Sequence, residues 1–292
     1  MMEVIPGFSH EVAEVNGQRI GYSRGGQGAP VLLLHGFPQT RAMWREIAPK
    51  LARDYTVIAA DLRGYGESSA PGGVEGMTFR EMAADQAALM SALGFERFHL
   101  VGHDRGARTG HRMGLDHGKR LLSLTLMDIV PTRHLLRHLT AEVAAAYYHW
   151  FFLAQPAPFP EQMIAADPDR YFERCLLGFG KAELSDFPAA ALELYRQSWR
   201  RPVVIAAMCD DYRAALTLDL EADRKDLKRR VPCPALVLYG AQGAMARHYD
   251  VPATWTERLS DMQTEAIPGG HFFIEQSPDE TLAALRAFLG ST

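Results

Sequence analysis

The sequence GHDRG at 102–106 places an acidic side chain between two glycines. Residues 97–103 are typical of a buried strand and the residues after Gly106 of a helix, so Asp104 lies at a strand-to-helix turn. Glycines two positions to either side of such a turn residue let the strand and the helix approach closely. The pattern predicts a nucleophile on a sharp turn, with Asp in the place that Ser usually takes.

A carboxylate nucleophile favours a particular reaction. Serine is acylated by a carbonyl substrate, whereas a carboxylate most usefully attacks an sp³ carbon that bears a leaving group, which produces an alkyl ester. A base must then activate water to hydrolyse that ester. We predict His271, in IPGGHFF after the last strand, as this base, and Asp128, in LMDIVPT, as its acidic partner. The loop after Gly240 offers no carboxylate before Asp250, which favours Asp128. Halides and epoxides both suit these steps.

Backbone donors are predicted beside the nucleophile. The early strand at 29–36 leads into HGFP at 35–38. In that position the Phe37 N–H, together with the Arg105 N–H, is expected to form an oxyanion or halide pocket.

Two arginines follow the turn. Arg105 and Arg108 share one helix face, at a helix N-terminus where each cation is disfavoured by about 0.3–1 kcal/mol. This arrangement calls for an anion, and Asp104 meets part of the demand. A substrate carboxylate would repel Asp104 by about 4 kcal/mol at about 4 Å and an effective dielectric constant of about 20. Two guanidinium groups would offset that repulsion and orient the substrate. The alternative is that both arginines pair with acidic residues of the helical insertion.

The elements that must position these residues alternate along the chain. Capping-box spacing of Thr78 and Glu81, with Gly94 as the stop, predicts a helix over 78–93, and Ser277 with Pro278 predicts the start of a last helix that ends near Gly290. Apolar strands interleaved with helices predict an α/β fold with a mostly parallel sheet covered on both faces. The predicted strands are 18–23, 29–36, 55–62, 97–103, 121–129, 234–240 and 262–269.

A long stretch without strands interrupts this rhythm. Between residues 131 and 212 the chain is rich in aromatic residues and prolines. We predict a helical cap domain over 131–212, inserted into a core of 1–130 and 213–292. Such a cap would cover the carboxyl ends of the strands, where ligands of open α/β sheets bind.

Composition excludes other classes. A net charge of −4, with 47% hydrophobic and 23% charged residues, is typical of a globular protein that attracts neither nucleic acid nor an anionic membrane surface. The N-terminus has no basic start and no long apolar stretch, so we expect a cytoplasmic protein. His134 and His138 have metal-ligand spacing, but without a third ligand a solvated helix face is the preferred interpretation. We predict no metal and no organic cofactor.

Several stretches together resemble one known family. Over nearly its whole length the chain resembles the fluoroacetate (haloacetate) dehalogenases of the α/β-hydrolase superfamily. Epoxide hydrolases and haloalkane dehalogenases usually have Trp directly after the nucleophile, where this chain has Arg105. The stretches that carry the resemblance are HGFPQT at 35–40, DLRGYGES at 61–68, GHDRGARTGHRM at 102–113, MDIVPT at 127–132, YYHWFFLAQPAPFPE at 147–161, CDDYRA at 209–214 and GGHF at 269–272.

The resemblance implies a role for each candidate side chain. Asp104 is the nucleophile, with His271 and Asp128 as base and partner, and Arg105 and Arg108 form a carboxylate clamp. It also implies that His149, Trp150 and Tyr212 hold the departing halide, which suits fluoride because N–H and O–H donors must replace its water. From the residues alone, aromatic packing is the simpler explanation of these three side chains.

One departure concerns the lining of the halide route. The family often has Trp where this chain has Phe179, within LLGFGKA. Phe lacks the indole N–H and is smaller, so a change in halide preference or in tolerance of α-substituents is expected.

The predicted function is hydrolysis of haloacetates to glycolate and halide, with inversion at a stereogenic α-carbon. The expected partner is a small 2-halocarboxylate, and the resemblance implies a homodimer. An epoxide hydrolase with the same nucleophile is one alternative, in which Tyr147, Tyr148 or Tyr212 would act as acids. A hydrolase-like binding protein without catalysis is the other, although a pure binder has no need of a nucleophile with its base.

Overall fold

The computed structural model describes residues 3–178 and 182–292 and contains one eight-stranded sheet. The strands are β1 Ser9–Val15, β2 Gln18–Gly25, β3 Ala29–Leu34, β4 Tyr55–Ala60, β5 Phe98–His103, β6 Leu121–Met127, β7 Val231–Gly240 and β8 Leu259–Ile267. Their order in the sheet is β1-β2-β4-β3-β5-β6-β7-β8. β1 pairs antiparallel with β2 and β2 pairs antiparallel with β4, whereas the remaining neighbours are parallel.

The parallel strands place the candidate residues at one edge. β5 is buried along its whole length and lies between β3 and β6. A strand buried on both faces must be covered by helices on both sides, which explains its continuous apolar sequence. The carboxyl ends of parallel neighbours meet at the same edge of the sheet, so the residues after β3, β5 and β6 converge there.

Each strand predicted from the sequence is present, and the structure adds β1. This edge strand is largely exposed and pairs only with β2 across the two-residue turn Asn16-Gly17, both of which have positive φ. Asn-Gly between two strands is a strong hairpin signal. The sequence prediction missed it because β1 lacks the continuous apolar run that marks the central strands.

Helices flank the sheet. The Thr78 side chain accepts a hydrogen bond from the Glu81 N–H at the start of the second helix, as the capping pattern predicts. Before the insertion the α-helices are α1 Ala48–Leu51, α2 Phe79–Ala92 and α3 Arg105–Asp116, with short 3₁₀ helices at Arg41–Glu46, Val74–Met77 and Gly118–Arg120.

A helical insertion separates β6 from β7. The predicted domain boundary at 212 lies within its longest helix, which runs over Pro202–Leu216, and the division into two domains stays a prediction. The inserted α-helices are α4 Thr132–Arg137, α5 Ala141–Ala146, α6 Tyr148–Leu153, α7 Phe159–Ala165, α8 Pro168–Gly178, α9 Ala189–Trp199, α10 Pro202–Leu216 and α11 Leu218–Lys225, with a 3₁₀ helix at Leu184–Asp186.

The last helices complete the core. α15 has the predicted extent, but the Ser277 side chain makes no capping hydrogen bond. Among the helices of the described residues, none has both the length and the apolar character needed to cross a membrane. The remaining α-helices are α12 Ala244–His248, α13 Val251–Trp255, α14 Phe273–Gln276 and α15 Pro278–Leu289.

Candidate active site

Asp104 occupies the turn between β5 and α3. Its backbone has φ +46° and ψ −110°, a conformation that non-glycine residues rarely adopt and that costs about 1–3 kcal/mol. A Cβ on Gly102 would lie 2.4 Å from the Gly106 carbonyl oxygen. A Cβ on Gly106 would lie 2.5 Å from the carbonyl oxygens of Leu34 and His35. Both glycines are therefore required by the close approach of α3 to the strand ends.

The carboxylate of Asp104 is held ionised in a buried place. Only 6% of the residue is exposed, and its Oδ1 accepts a hydrogen bond from the Phe37 N–H at 3.1 Å. Burial alone would raise the pKa of Asp104. The charges of His271, Arg105 and Arg108 outweigh burial and lower this pKa to about 2. The group is thus an anion at neutral pH, as a carboxylate nucleophile must be.

His271 and Asp128 form a close pair beside it. His271 Nδ1 lies 2.6 Å from Asp128 Oδ2, and Asp128 Oδ1 accepts a hydrogen bond from the Gly240 N–H at 2.9 Å. Burial lowers the pKa of His271, but the hydrogen bond and charge of Asp128 raise it above the usual value. His271 Nε2 lies 4.0 Å from Asp104 Oδ2, too far for a direct hydrogen bond. This spacing suits a base that acts on a water molecule next to Asp104.

His103 contacts the backbone of His271, the predicted base. Its Nε2 donates a hydrogen bond to the His271 carbonyl oxygen at 2.9 Å, and the two rings lie 4.6 Å apart. Burial and the neighbouring His271 lower the pKa of His103 to about 3, so its ring is neutral. His103 therefore fixes the backbone of His271 without adding charge to the site.

Arg105 is paired with an acidic residue of the helical insertion. Its Nε donates to Asp211 Oδ2 at 2.9 Å, and its Nη2 donates to Asp211 Oδ1 and, at 2.9 Å, to the Asp211 carbonyl oxygen. The Tyr65 hydroxyl donates to the same carboxylate at 2.7 Å. The guanidinium lies 4.6 Å from the Phe79 ring centre and 4.2 Å from that of Tyr212. Of the three guanidinium nitrogens of Arg105, only Nη1 is buried without a hydrogen-bond partner among the described residues.

Arg108 has a different environment. Its Nη1 donates to the Val130 carbonyl oxygen at 3.0 Å and to Thr132 Oγ1 at 2.9 Å, and its guanidinium lies 4.8 Å from the centre of the Trp150 ring. Within the described part of the chain it forms no ion pair, and its buried Nε has no partner. Burial lowers the pKa of Arg108, and Asp104 is the charge that opposes this effect most.

Aromatic side chains of the insertion close the other side. His149 stacks on Phe37 with ring centres 5.5 Å apart, and Tyr212 meets the rings of Phe37 and Trp150 edge to face at 5.1 and 5.4 Å. Trp150 Nε1 and the Tyr212 hydroxyl are buried, and neither has a partner among the residues that the structure describes. Burial and the Asp104 charge raise the pKa of Tyr212, so its proton is retained. These side chains pack as aromatic residues do and still keep donors available.

Comparison with known proteins is consistent with this geometry. The family described as alpha/beta hydrolase fold matches residues 29–278. The chain belongs to the α/β-hydrolase family. This α/β hydrolase is 50% identical over 286 residues to fluoroacetate dehalogenase from Burkholderia sp., which covers 97% of this chain and 94% of that protein. It is therefore a homologue of that enzyme, and the resemblance seen in its motifs is confirmed.

More distant relatives and a solved structure extend the comparison. A soluble epoxide hydrolase from Corynebacterium sp. (strain C12) is 30% identical over 289 residues, 96% of this chain and 97% of that protein. A crystal structure assigned to the α/β hydrolases, from Nostoc sp. PCC 7120, matches with a TM-score of 0.96 and 47% identity. That match covers 98% of this chain and 99% of the other.

The fold of this α/β hydrolase brings the predicted site residues together, and their roles stay predictions. Phe179, the predicted pocket-lining residue, lies outside the described residues. Tyr148 is 40% exposed and lies 4.0 Å from Cys175, whereas Tyr147 is buried and the charges of Asp128 and Asp104 help burial to raise its pKa. Of these two tyrosines, only Tyr147 is buried, and its hydroxyl is influenced by the charges of the two candidate aspartates. The predicted residues that the structure brings together through these contacts are Phe37, Asp104, Arg105, Arg108, Asp128, His149, Trp150, Tyr212 and His271.

Sequence reasoning missed residues that hold others in place. Asp211 stands directly before Tyr212 in CDDYRA, and Tyr65 stands within RGYG, so both belonged to stretches already singled out. His103 stands directly before the nucleophile. These three residues could have been found by asking which charged or aromatic side chains stand in the same motif as a candidate site residue.

The candidate histidine pair has a local explanation. The rings of His134 and His138 stack at 4.2 Å, and His138 Nδ1 donates to the His134 carbonyl oxygen at 3.0 Å. In residues 3–178 and 182–292, no group of three or more His, Cys, Asp or Glu side chains is arranged to hold a metal ion.

Proposed function

We propose that this α/β hydrolase converts haloacetates, including fluoroacetate and chloroacetate, to glycolate and halide through an ester on Asp104. One observation carries the proposal. Around an ionised Asp104, four buried donors have no partner among the described residues: Arg105 Nη1, Arg108 Nε, Trp150 Nε1 and the Tyr212 hydroxyl. Each buried polar group without a partner costs about 1–3 kcal/mol, so such a set is consistent with a ligand that accepts hydrogen bonds at two places.

The two arginines are suited to the carboxylate of the substrate. A carboxylate about 4 Å from Asp104 is repelled by about 4 kcal/mol at an effective dielectric constant of about 20. Charge-assisted hydrogen bonds from Arg105 and Arg108 offset this repulsion and fix the α-carbon in front of the nucleophile. A neutral haloalkane would leave these arginine donors without acceptors.

In the first step, Asp104 Oδ2 attacks the α-carbon while the carbon–halogen bond breaks with its electron pair. Oδ1 accepts a hydrogen bond from the Phe37 N–H, and on this ground we propose Oδ2 as the attacking oxygen. The halide leaves opposite the attacking oxygen, so a stereogenic α-carbon inverts. Trp150 and Tyr212 donate to the departing halide, with His149 as a third group, and fluoride needs them most because it is strongly hydrated in water.

In the second step, His271 accepts a proton from water and the resulting hydroxide attacks the carbonyl carbon of the Asp104 ester. Negative charge then develops on Oδ1, where the Phe37 N–H, and the Arg105 N–H at the start of α3, stabilise it. Collapse of this intermediate breaks the bond between the Asp104 carbonyl carbon and the alkyl oxygen, and the departing glycolate alkoxide takes the proton from His271. The Asp104 carboxyl, left with the second proton of the water, releases it to solvent because its pKa is lowered to about 2, and the carboxylate is restored. Asp128 holds the protonated ring of His271 through its hydrogen bond at 2.6 Å.

Halide release from purified protein tests the proposal. Fluoroacetate, chloroacetate and an epoxide are supplied separately, with fluoride and chloride read by ion-selective electrodes and diol formation by chromatography. Fluoride or chloride release with equimolar glycolate supports the proposal. Diol formation without halide release would identify an epoxide hydrolase, and no reaction with any substrate would favour a binding protein.

Assembly and location belong to the same proposal. The resemblance to the dehalogenases implies a homodimer, which light scattering on the purified protein would show as twice the mass of 32.4 kDa. The cytoplasmic location expected from the N-terminal sequence also stays a prediction.

A further inference from the structure

The two arginines of the proposed clamp differ in how their charges are balanced. Arg105 makes a two-pronged ion pair with Asp211, and both side chains are wholly buried. Burial lowers the pKa of Arg105, but the Asp211 carboxylate more than reverses this effect and raises it. Burial lowers the pKa of Arg108, and no described carboxylate forms an ion pair with it. The carboxylate that most favours its protonated form is that of Asp104, the proposed nucleophile.

The geometry around Arg105 leaves little freedom. Its Nε and Nη2 edge faces Asp211, and the rings of Phe79 and Tyr212 lie close to the guanidinium. Asp211 is itself fixed by the Tyr65 hydroxyl. A planar guanidinium bound along one edge has a fixed orientation, so the direction of the remaining Nη1 donor is set before any substrate binds.

We infer that Arg108 supplies the net charge that recognises the substrate carboxylate, and that Asp211 is a positioning residue which neutralises Arg105 and leaves it as an oriented N–H donor. This inference rests on the proposed function, because it assigns unequal shares to the two arginines of the clamp.

The charges present at each step of the proposed reaction explain why only one arginine of the clamp would keep a net charge. With substrate bound, Asp104 and the substrate carboxylate are both negative, Arg108 is positive, and the pair Arg105–Asp211 adds no net charge. Attack converts Asp104 to a neutral ester, and the negative charge leaves with the halide. The carboxylate of the bound group and Arg108 then balance each other while the ester is hydrolysed. A second uncompensated arginine would hold the glycolate product more tightly and slow its release.

The test compares an anionic substrate with its neutral analogue of nearly the same shape. Selectivity is the kcat/KM for chloroacetate divided by that for chloroacetamide. Arg108→Gln is expected to lower this ratio by about 100-fold, because it removes the net charge. The double variant Arg105→Gln/Asp211→Asn replaces an ion pair with two neutral amides. It is expected to slow both substrates and to lower the ratio by less than about 5-fold. A merely structural role for Asp211 would not predict this difference between the variants.

Equal losses of selectivity in the two variants, or a larger loss in the double variant, would overturn the inference. Arg170→Gln, an exposed arginine on α8, is the matched control and should leave the ratio unchanged. Should the double variant fail to fold by circular dichroism, Tyr65→Phe replaces it. This change removes one hydrogen bond to Asp211, so KM should change equally for both substrates. A loss of selectivity as large as that of Arg108→Gln would again overturn the inference.

Failure of the proposed function would be a separate outcome. If the unaltered protein releases no halide from either substrate, the dehalogenase proposal fails. The same ratio is then measured as Kd for chloroacetate against chloroacetamide by calorimetry, in Asp104→Asn protein with and without each clamp substitution. A ratio that depends on Arg108 and not on the Arg105–Asp211 pair supports the inference, and the opposite dependence overturns it.

Discussion

Two sides of the site differ in how their polar atoms find hydrogen-bond partners. The strand side consists of Asp104, Asp128 and His271, which follow strands of the sheet, and the helical side consists of His149, Trp150 and Tyr212 of the insertion. On the strand side, both oxygens of Asp128 accept hydrogen bonds, from His271 and from the Gly240 N–H. On the helical side, the donors of Trp150 and Tyr212 are buried with no partner among the described residues. The Asp128 carboxylate is thus satisfied before substrate arrives, whereas under the proposed function Trp150 and Tyr212 complete their hydrogen bonding only around a ligand.

This difference separates reactivity from selectivity. On the strand side the free-energy cost is backbone strain, because Asp104 at φ +46° is strained by about 1–3 kcal/mol. On the helical side the free-energy cost comes from the buried donors of Trp150 and Tyr212, at about 1–3 kcal/mol for each donor without a partner. Changes on the strand side should therefore abolish turnover of every substrate, while changes on the helical side should alter the preference among halides.

The largest loss is expected on the strand side, from Asp104→Asn. An amide cannot attack the α-carbon, so kcat should fall by about 10⁴-fold or more while the protein stays folded. Asp250→Asn, at an exposed residue, is the control. Activity that persists in a preparation shown by mass spectrometry to be free of deamidation would contradict the assignment of the nucleophile.

Replacement of His271, the proposed base, should stop the reaction at the ester. His271→Asn is expected to lower steady-state turnover by about 10²–10⁴-fold, because no base activates water. The first attack still occurs, so peptide mass spectrometry should find a carboxymethyl group on Asp104. His248→Asn, an exposed histidine, should behave like the unaltered protein. Consumption of substrate by His271→Asn without that adduct would argue against the ester route.

On the helical side, Tyr212→Phe keeps the ring and removes one proposed donor to the halide. We expect kcat for fluoroacetate to fall by about 100-fold and that for chloroacetate by about 10-fold. Tyr148→Phe, on the exposed side of the insertion, is the matched control. An equal loss for both substrates would show that Tyr212 packs against its neighbours without assisting the leaving group.

A change of pH should affect the two steps differently. His271 must be neutral to accept a proton, and Asp128 raises its pKa above the usual value of about 6.5, so turnover should fall about tenfold per unit below this raised pKa. Asp104, whose pKa is lowered to about 2, remains ionised there. Rapid-mixing measurements should show a burst of halide that persists in acid while steady-state release declines. Parallel decline of burst and steady state would contradict this division of roles.

Stability should follow His271 in the opposite direction. Because its folded pKa is raised, its stabilising contribution is present below the unfolded value of about 6.5 and is lost as pH rises through the folded pKa. Urea unfolding of the protein and of His271→Asn should therefore give free energies of unfolding whose difference decreases as pH rises. A difference that increases with pH would show that the pair with Asp128 does not raise the pKa.

The smallest effect on activity is expected from a hydrogen-bonded link between the sheet and the insertion that lies away from Asp104. Glu275, after the last strand, accepts hydrogen bonds from Gln39 and, at 2.8 Å, from the hydroxyl of Tyr195 on α9. Tyr195→Phe should lower the free energy of unfolding by about 1–3 kcal/mol, because a buried carboxyl loses a donor. Activity should change only a few-fold. A loss of activity comparable to that of Tyr212→Phe would mean that this link also shapes the site.

The sequence predicted the parts of the site that depend on local constraints. Gly102 and Gly106 marked the turn because no Cβ fits there, and apolar runs marked the central strands. It did not predict that Arg105 meets Asp211, which lies 106 positions further along the chain. In the sequence, either an acidic side chain of the insertion or a substrate carboxylate could have been the anion that the two arginines require. The structure pairs Asp211 with Arg105 and not with Arg108.

By itself, the sequence determined the order of strands β2 to β8 with the helices between them, the sharp turn at Asp104 and the chemistry that its residue types allow. These follow from short-range sterics and from the intrinsic reactivity of a carboxylate. Only the tertiary structure decided which donors remain without partners and which arginine keeps its charge uncompensated. Those outcomes depend on the packing of α10 of the insertion against α3, since burial and pairing are properties of groups that are distant in sequence and adjacent in space.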